Sequence, residues 1–105
     1  TWLSLGGNEL TGQIPLEILN LPNLEVLELQ FNNLTGEIPS EIGNLINLRE
    51  IRLQENQLSG TIPQEICNLS NLEQIILWEN KLCPPYPECV TDHYDIGYQD
   101  TSNCP

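Results

Sequence analysis

Few residues in this 105-residue chain could carry covalent chemistry. A nucleophile activated by a base would have to use His93, the only histidine, which lies in an aperiodic stretch and reads more simply as a solvated loop residue. Carboxylates are plentiful, with Glu25, Glu28, Glu50, Glu55, Glu73 and Glu79 at related positions. Two of them could in principle act as a glycosidase pair, but acids on a surface are ordinarily solvated, and solvation is the expectation here. Glu88, Asp92, Asp95 and Asp100 do not have the spacing of a calcium loop. The four cysteines, Cys67, Cys83, Cys89 and Cys104, are spaced more widely than Cys-x-x-Cys and have one histidine for company, which is no zinc pattern. An even cysteine count in a small acidic chain points instead to disulfides and an oxidising, extracellular or cell-surface setting. The residues therefore imply no cofactor, no metal and no enzyme.

Charge narrows the partners. Fifteen acidic against three basic side chains leave a formal charge of -12, the wrong sign for the phosphate neutralisation that drives nucleic-acid binding. An anionic membrane surface is repelled for the same reason. The longest apolar runs are a few residues, far short of the roughly 20 needed to span a bilayer.

What positions these residues is a repeat of 24. Leu5, Leu29, Leu53 and Leu77 share one column, Asn8, Asn32, Asn56 and Asn80 another, and Leu10, Leu34, Leu58 and Leu82 a third. Ile14-Pro15, Ile38-Pro39 and Ile62-Pro63 follow, then the Ile18, Leu21 and Leu24 columns with their repeats. In each layer an alternating stretch such as Leu24 to Leu29 predicts a short strand with leucines inward, and successive strands should pair in parallel in one sheet. The asparagines are read as structural, their amides serving backbone groups where no ladder reaches. Gly12, Gly36 and Gly60 permit an unusual turn, and the Ile-x-x-Leu-x-x-Leu spacing behind them suits short 3₁₀ turns. No layer buries its leucines alone, so stacking creates the core.

The segments LEVLELQFNNLTGEIP (24–39) and LREIRLQENQLSGTIP (48–63) resemble the plant-specific class of leucine-rich repeats. Similar repeats occur in receptor-kinase ectodomains, polygalacturonase-inhibiting proteins and secreted bacterial proteins. The resemblance implies an α/β solenoid with a parallel sheet on the concave face and a 3₁₀ or irregular convex arc. It covers residues 1–82, about four layers, and leaves 83–105 as a C-terminal cap. Thr1 falls in the column of Glu25 and Glu73, so the chain opens within a layer. That predicts either a fragment of a longer protein or an edge covered by neighbouring repeats or another subunit.

In the cap, Tyr86-Pro87 falls in the Ile62-Pro63 columns and Val90 in the Ile66 column. After that the period is lost, and Tyr94, Ile96 and Tyr98 are expected to fold over the last layer. The stretches LCPPYPECV and DTSNC are similar to caps of secreted bacterial repeat proteins. If residues 83–89 follow the repeat path, Cys83 and Cys89 lie too far apart to bridge, which favours Cys67–Cys89 with Cys83–Cys104. A tight loop through Pro84-Pro85 is the alternative, joining Cys83 to Cys89 and Cys67 to Cys104.

Four rows between the leucines vary from layer to layer, as a partner-specific surface does. They are Trp2, Val26, Glu50, Gln74; Ser4, Glu28, Arg52, Ile76; Gly6, Gln30, Gln54, Trp78; and Gly7, Phe31, Glu55, Glu79. The period imposes no residue type on them. Trp2, Phe31 and Trp78 are the expected aromatic anchors, with Arg52, Glu28, Gln30, Gln54 and Ile76 beside them. The bland alternative is that Phe31 and Trp78 only pack sideways on neighbouring strands, or that Trp2 covers an exposed end. The function expected is recognition of a protein, peptide or glycan on the concave sheet. A structural spacer or assembly unit, stacking through the N-terminal edge, is the second reading. Two sequons, Asn33-Leu34-Thr35 and Asn68-Leu69-Ser70, are glycosylation acceptors in a eukaryotic secretory route, although both triplets also fall on repeat columns, which makes coincidence the simpler reading.

Overall fold

Alternating Leu and polar residues after each Leu24-type position give four three-residue strands in the computed structural model, which describes residues 1–105. They are β1 (Trp2–Ser4), β3 (Val26–Glu28), β5 (Glu50–Arg52) and β7 (Gln74–Ile76). These pair in parallel in the order β1-β3-β5-β7, with Leu3, Leu27, Ile51 and Ile75 in register, one repeat apart. A second sheet, which the sequence reading did not anticipate, is formed by β2 (Thr11–Gly12), β4 (Asn33–Gly36), β6 (Gln57–Gly60) and β8 (Lys81–Leu82). Thr11 pairs with Asn33 and Thr35 with Gln57, so this sheet is staggered by two residues against the 24-residue repeat. Only two to four residues per layer take part. Leu34, Leu58 and Leu82 face the core, but the glycines that end β2, β4 and β6 hide the alternation a strand would show.

Gly12, Gly36 and Gly60 end those strands at φ values of 81°, 79° and 73°, turning the chain toward the convex side. There the proline carbonyls of Pro15, Pro39 and Pro63 accept the N–H of Ile18, Ile42 and Ile66, opening 3₁₀ turns at Ile18–Asn20, Ser40–Asn44 and Gln64–Asn68. Twenty apolar residues from all layers form one continuous core. Leu24, Leu27, Leu48, Ile51, Leu53 and Leu58 have no accessible surface, each contributing about 1.5–3 kcal/mol.

The asparagine column supplies the polar interior. Asn56 donates from Nδ2 to the carbonyls of Leu29 (3.0 Å) and Leu53 (3.1 Å) and accepts the N–H of Leu34 through Oδ1 (3.0 Å). Asn32 and Asn80 repeat the pattern, accepting from Leu10 and Leu58. Asn8 is exposed and bonds through its side chain only to the carbonyl of Gly6.

The cap is more regular than its sequence suggested. The carbonyl of Pro87 accepts the N–H of Val90, as the earlier prolines do, but here it also accepts the N–H of Thr91 and the turn widens into a short α-helix, α1 (Glu88–Thr91). Val90 is fully buried. The following segment then runs alongside the last layer: Tyr98 O accepts from Glu79 N, Asp100 N donates to Asn80 O, and Asn80 pairs with Gln99. Tyr94 and Ile96 pack on the core, and the Tyr94 hydroxyl donates to Leu72 O at 2.9 Å. Tyr98 does not act as a lid. Its side chain is 64% exposed, because its backbone is used as a strand neighbour and its ring is turned outward. The bridges are Cys67–Cys89 and Cys83–Cys104, each with Cα atoms 5.7 Å apart. One ties α1 to the preceding convex turn and the other ties the chain end to the second sheet.

Candidate binding face

Strand alternation sends every second residue of β1, β3, β5 and β7 away from the core, and the parallel register stacks these residues into rows. Trp2, Val26, Glu50 and Gln74 line an open groove with Ile76 and Trp78, bounded on the cap side by Tyr94 and Asp95. Trp2 is 67% exposed, Phe31 53% and Trp78 36%. Phe31 and Trp78 also pack edge to face, ring centroids 6.4 Å apart and planes at 75°. The sideways packing considered as the alternative therefore occurs, yet it leaves much of both rings open to a partner. The Trp2 indole N–H donates to Glu28 Oε1 at 2.8 Å, which fixes the ring across two strands.

Three of the residues expected on this face are less available than the strand rows suggested. Glu28 is buried, held by Trp2 and by Arg52 at 3.7 Å. Gln54 is also buried, and the Gln30 amide lies over Gly6, where a Cβ would meet it at 2.9 Å. Neither Gln30 Oε1 nor Gln54 Oε1 has a hydrogen-bond partner. A row that holds glycine in one layer and glutamine in the next lets the long side chain fold sideways into the vacant space. Arg52 and Ile76 remain partly accessible. The fourth row is also more constrained than its variable residues implied. Gly7, Phe31, Glu55 and Glu79 all have φ between 56° and 70°, the left-handed region. There each N–H reaches the next layer, Phe31 N to Gln54 O and Glu55 N to Trp78 O.

The face is acidic with its cations already engaged. Arg52 bonds Glu50 and lies near Glu28, while Arg49 bonds Glu73 and lies 3.9 Å from Glu25. The Arg49 hydrogen bond holds the Glu73 carboxyl below the usual carboxylate range, and the same pair raises the Arg49 guanidinium. Burial pushes the Tyr94 phenol up, with the Glu73 charge adding to it. Glu25, Arg49 and Glu73 share one repeat column, in which the single arginine stands between two carboxylates. The cap residues Tyr94 and Asp95 had no periodic signal to place them. No three His, Cys, Asp or Glu side chains are grouped so as to hold a metal ion, and no helix is long and apolar enough to cross a membrane.

Comparison with known proteins agrees with this architecture. Models of leucine-rich repeats match residues 1–21 and 22–82. A structure of the BIR3–SERK2 complex from Arabidopsis thaliana is similar, with 34% identity and a TM-score of 0.85 over 92% of this chain and 52% of that one. The plant peptide hormone receptor RGFR1, in complex with RGF2, gives 38% identity and a TM-score of 0.85 over 94% of this chain and 17% of that one. The ectodomain of the Arabidopsis receptor kinase HAESA, with an IDA peptide hormone ligand, gives 42% and 0.79, covering 86% and 15%. The chain thus spans about half the length of the first and about a sixth of the others. Curated proteins give no significant match.

Proposed function

This chain belongs to the leucine-rich repeat family, and we propose that its concave sheet is an extracellular recognition face for a peptide, or an extended segment of a protein, that carries basic residues. The observation that carries this reading is one surface with exposed Trp2, Phe31 and Trp78 set among carboxylates, whose two arginines are each committed to acids of the chain itself. Aromatic rings supply area at low entropic cost. The surplus carboxylates Glu55, Glu79 and Asp95 favour cationic side chains and oppose acidic ones. The ligand is bound without turnover. Two disulfides and the likeness to plant receptor ectodomains support an extracellular setting.

Titration with synthetic extended peptides matched in apolar content, one series bearing Lys and Arg and the other Glu, tests the reading. Basic peptides should bind and weaken as salt rises, and Trp78→Ala should cost about tenfold or more in affinity, roughly 1.4 kcal/mol. Equal binding of the two series, or indifference to Trp78→Ala and Trp2→Ala together, would overturn it.

A further inference from the structure

We infer that Asn33 and Asn68 are two N-glycan attachment sites, placed so that the sugars project from the second sheet and the convex arc. Only these two asparagines begin an Asn-x-Ser/Thr triplet with x other than proline. The repeat dictates the asparagine at 68, since Asn20 and Asn44 share its column, but it does not dictate the hydroxyl two residues on. Asn20 is followed at that distance by Pro22 and Asn44 by Ile46, whereas Asn68 is followed by Ser70. At Asn33 the situation is reversed: Thr11, Thr35 and Ser59 keep a hydroxyl in the first three layers, while Glu9, Asn33, Gln57 and Lys81 offer an asparagine only once.

The fold keeps both acceptors usable. The column asparagines Asn32, Asn56 and Asn80 are buried, and their Nδ2 atoms are committed to backbone carbonyls. Asn33 and Asn68 are exposed, as are Thr35 and Ser70. Asn33 is held through its backbone, its N–H donating to Leu10 O, and Asn68 closes its 3₁₀ turn, with neither carboxamide in a hydrogen bond. A sugar on Nδ2 therefore displaces no hydrogen bond of the folded layer. Neither asparagine lines the groove beside Trp2 and Trp78; Asn33 begins β4 in the second sheet and Asn68 ends the convex turn next to Cys67.

The reaction is a group transfer in a eukaryotic secretory route, from a polyprenyl-pyrophosphate-linked oligosaccharide. The asparagine Nδ2 forms a bond to the anomeric carbon and loses a proton. The bond from that carbon to the phosphate oxygen breaks, and the lipid pyrophosphate leaves with the electron pair.

The test is secretion of the full chain from plant cells, with intact mass and glycopeptide mapping before and after enzymatic deglycosylation. Two occupied sites are expected. Thr35→Ala and Ser70→Ala, which keep each asparagine and only remove the hydroxyl, should abolish the glycan at Asn33 and Asn68 respectively. Secreted wild-type chain whose Asn33 and Asn68 peptides are unmodified, beside a co-expressed control glycoprotein that is modified, overturns the inference. Persistence of either glycan in its hydroxyl variant overturns the assignment at that site. Because the wild-type map is decisive alone, a variant that fails to fold does not blunt the test.

Discussion

Gln99 Oε1 accepts the backbone N–H of Leu82 at 3.0 Å, the bond that Asn80 makes to Leu58 one layer earlier. Its Nε2 donates to Leu77 O at 2.7 Å, as Asn80 does to Leu53 O. A glutamine from the aperiodic cap thus completes the asparagine column, entering from a different chain path with one more methylene. Gln99→Ala leaves the buried Leu82 N–H unpaired, while Leu77 O keeps the Asn80 Nδ2 donor at 3.0 Å, and should cost about 1–3 kcal/mol. Urea unfolding followed by near-UV circular dichroism would show the lower midpoint. An unchanged midpoint would mean the cap does not rest on this rung.

The disulfides close loops with separations of 22 and 21 residues. Loop-closure entropy gives each about 3 kcal/mol through the unfolded chain. Replacing Cys67 and Cys89 by alanine should therefore lower the melting temperature markedly while far-UV signal from the first three layers persists at moderate temperature. Loss of all ordered structure at once would instead show that α1 nucleates the whole stack.

Glu55 sits at φ 59° between strands of neighbouring layers, where glycine is unstrained. Glu55→Gly should stay within about 0.5 kcal/mol of the parent, relief of strain offsetting the added freedom of the unfolded chain. Glu55→Val places a β-branched residue in the same region and should cost about 1–2 kcal/mol. Equal stability of the two variants in urea titrations would contradict the shared left-handed geometry of this row.

Stability should fall at both ends of the pH scale. The Tyr86 and Tyr94 phenols are raised by burial above the ordinary value of 10.0. Their contribution is therefore complete below that pH and lost as pH rises past it through the folded values. Glu73, lowered by Arg49, and Asp100, lowered by Ser102, act in the opposite sense. Their contribution is present above the ordinary 4.5 and 3.8 and is lost as pH falls below them. Glu73 is exposed and Asp100 partly so, and the acid effect should therefore be the smaller and should shrink with salt. Tyr94→Phe should flatten the alkaline limb of a urea-midpoint profile, and an unaltered limb would remove Tyr94 as its source.

Gly97 shows where sequence reading reached its limit. It crosses the last strand so closely that a Cβ would lie 2.4 Å from Trp78 Cβ, at φ 68°. Nothing periodic marks that glycine, whose role depends on a contact between segments 19 residues apart. By contrast, the burial of Leu27, Ile51 and Ile75, the turns at Gly36 and Gly60 and the asparagine ladder follow from composition repeated at a constant interval. Each such residue meets the same neighbours in every layer.

For the binding face the division is similar. The exposure of Trp2 and Trp78 could be read directly, since a two-residue period decides which side of a strand a residue occupies, whereas Phe31 shares the parity of Leu27 and Leu29 and is exposed where the backbone turns at φ 56°. Whether Glu28 and Gln54 were free on that side could not, because Trp2, Arg52 and the vacant volume over Gly6 act across strands. The sequence by itself determined the layers, their spacing and their acidic charge, all properties of residues near one another in the chain or locked to a period. Only the tertiary structure decided the second sheet, the Gln99 rung and which groove side chains stay open. Those depend on how side chains of unlike size fit together once the layers are stacked.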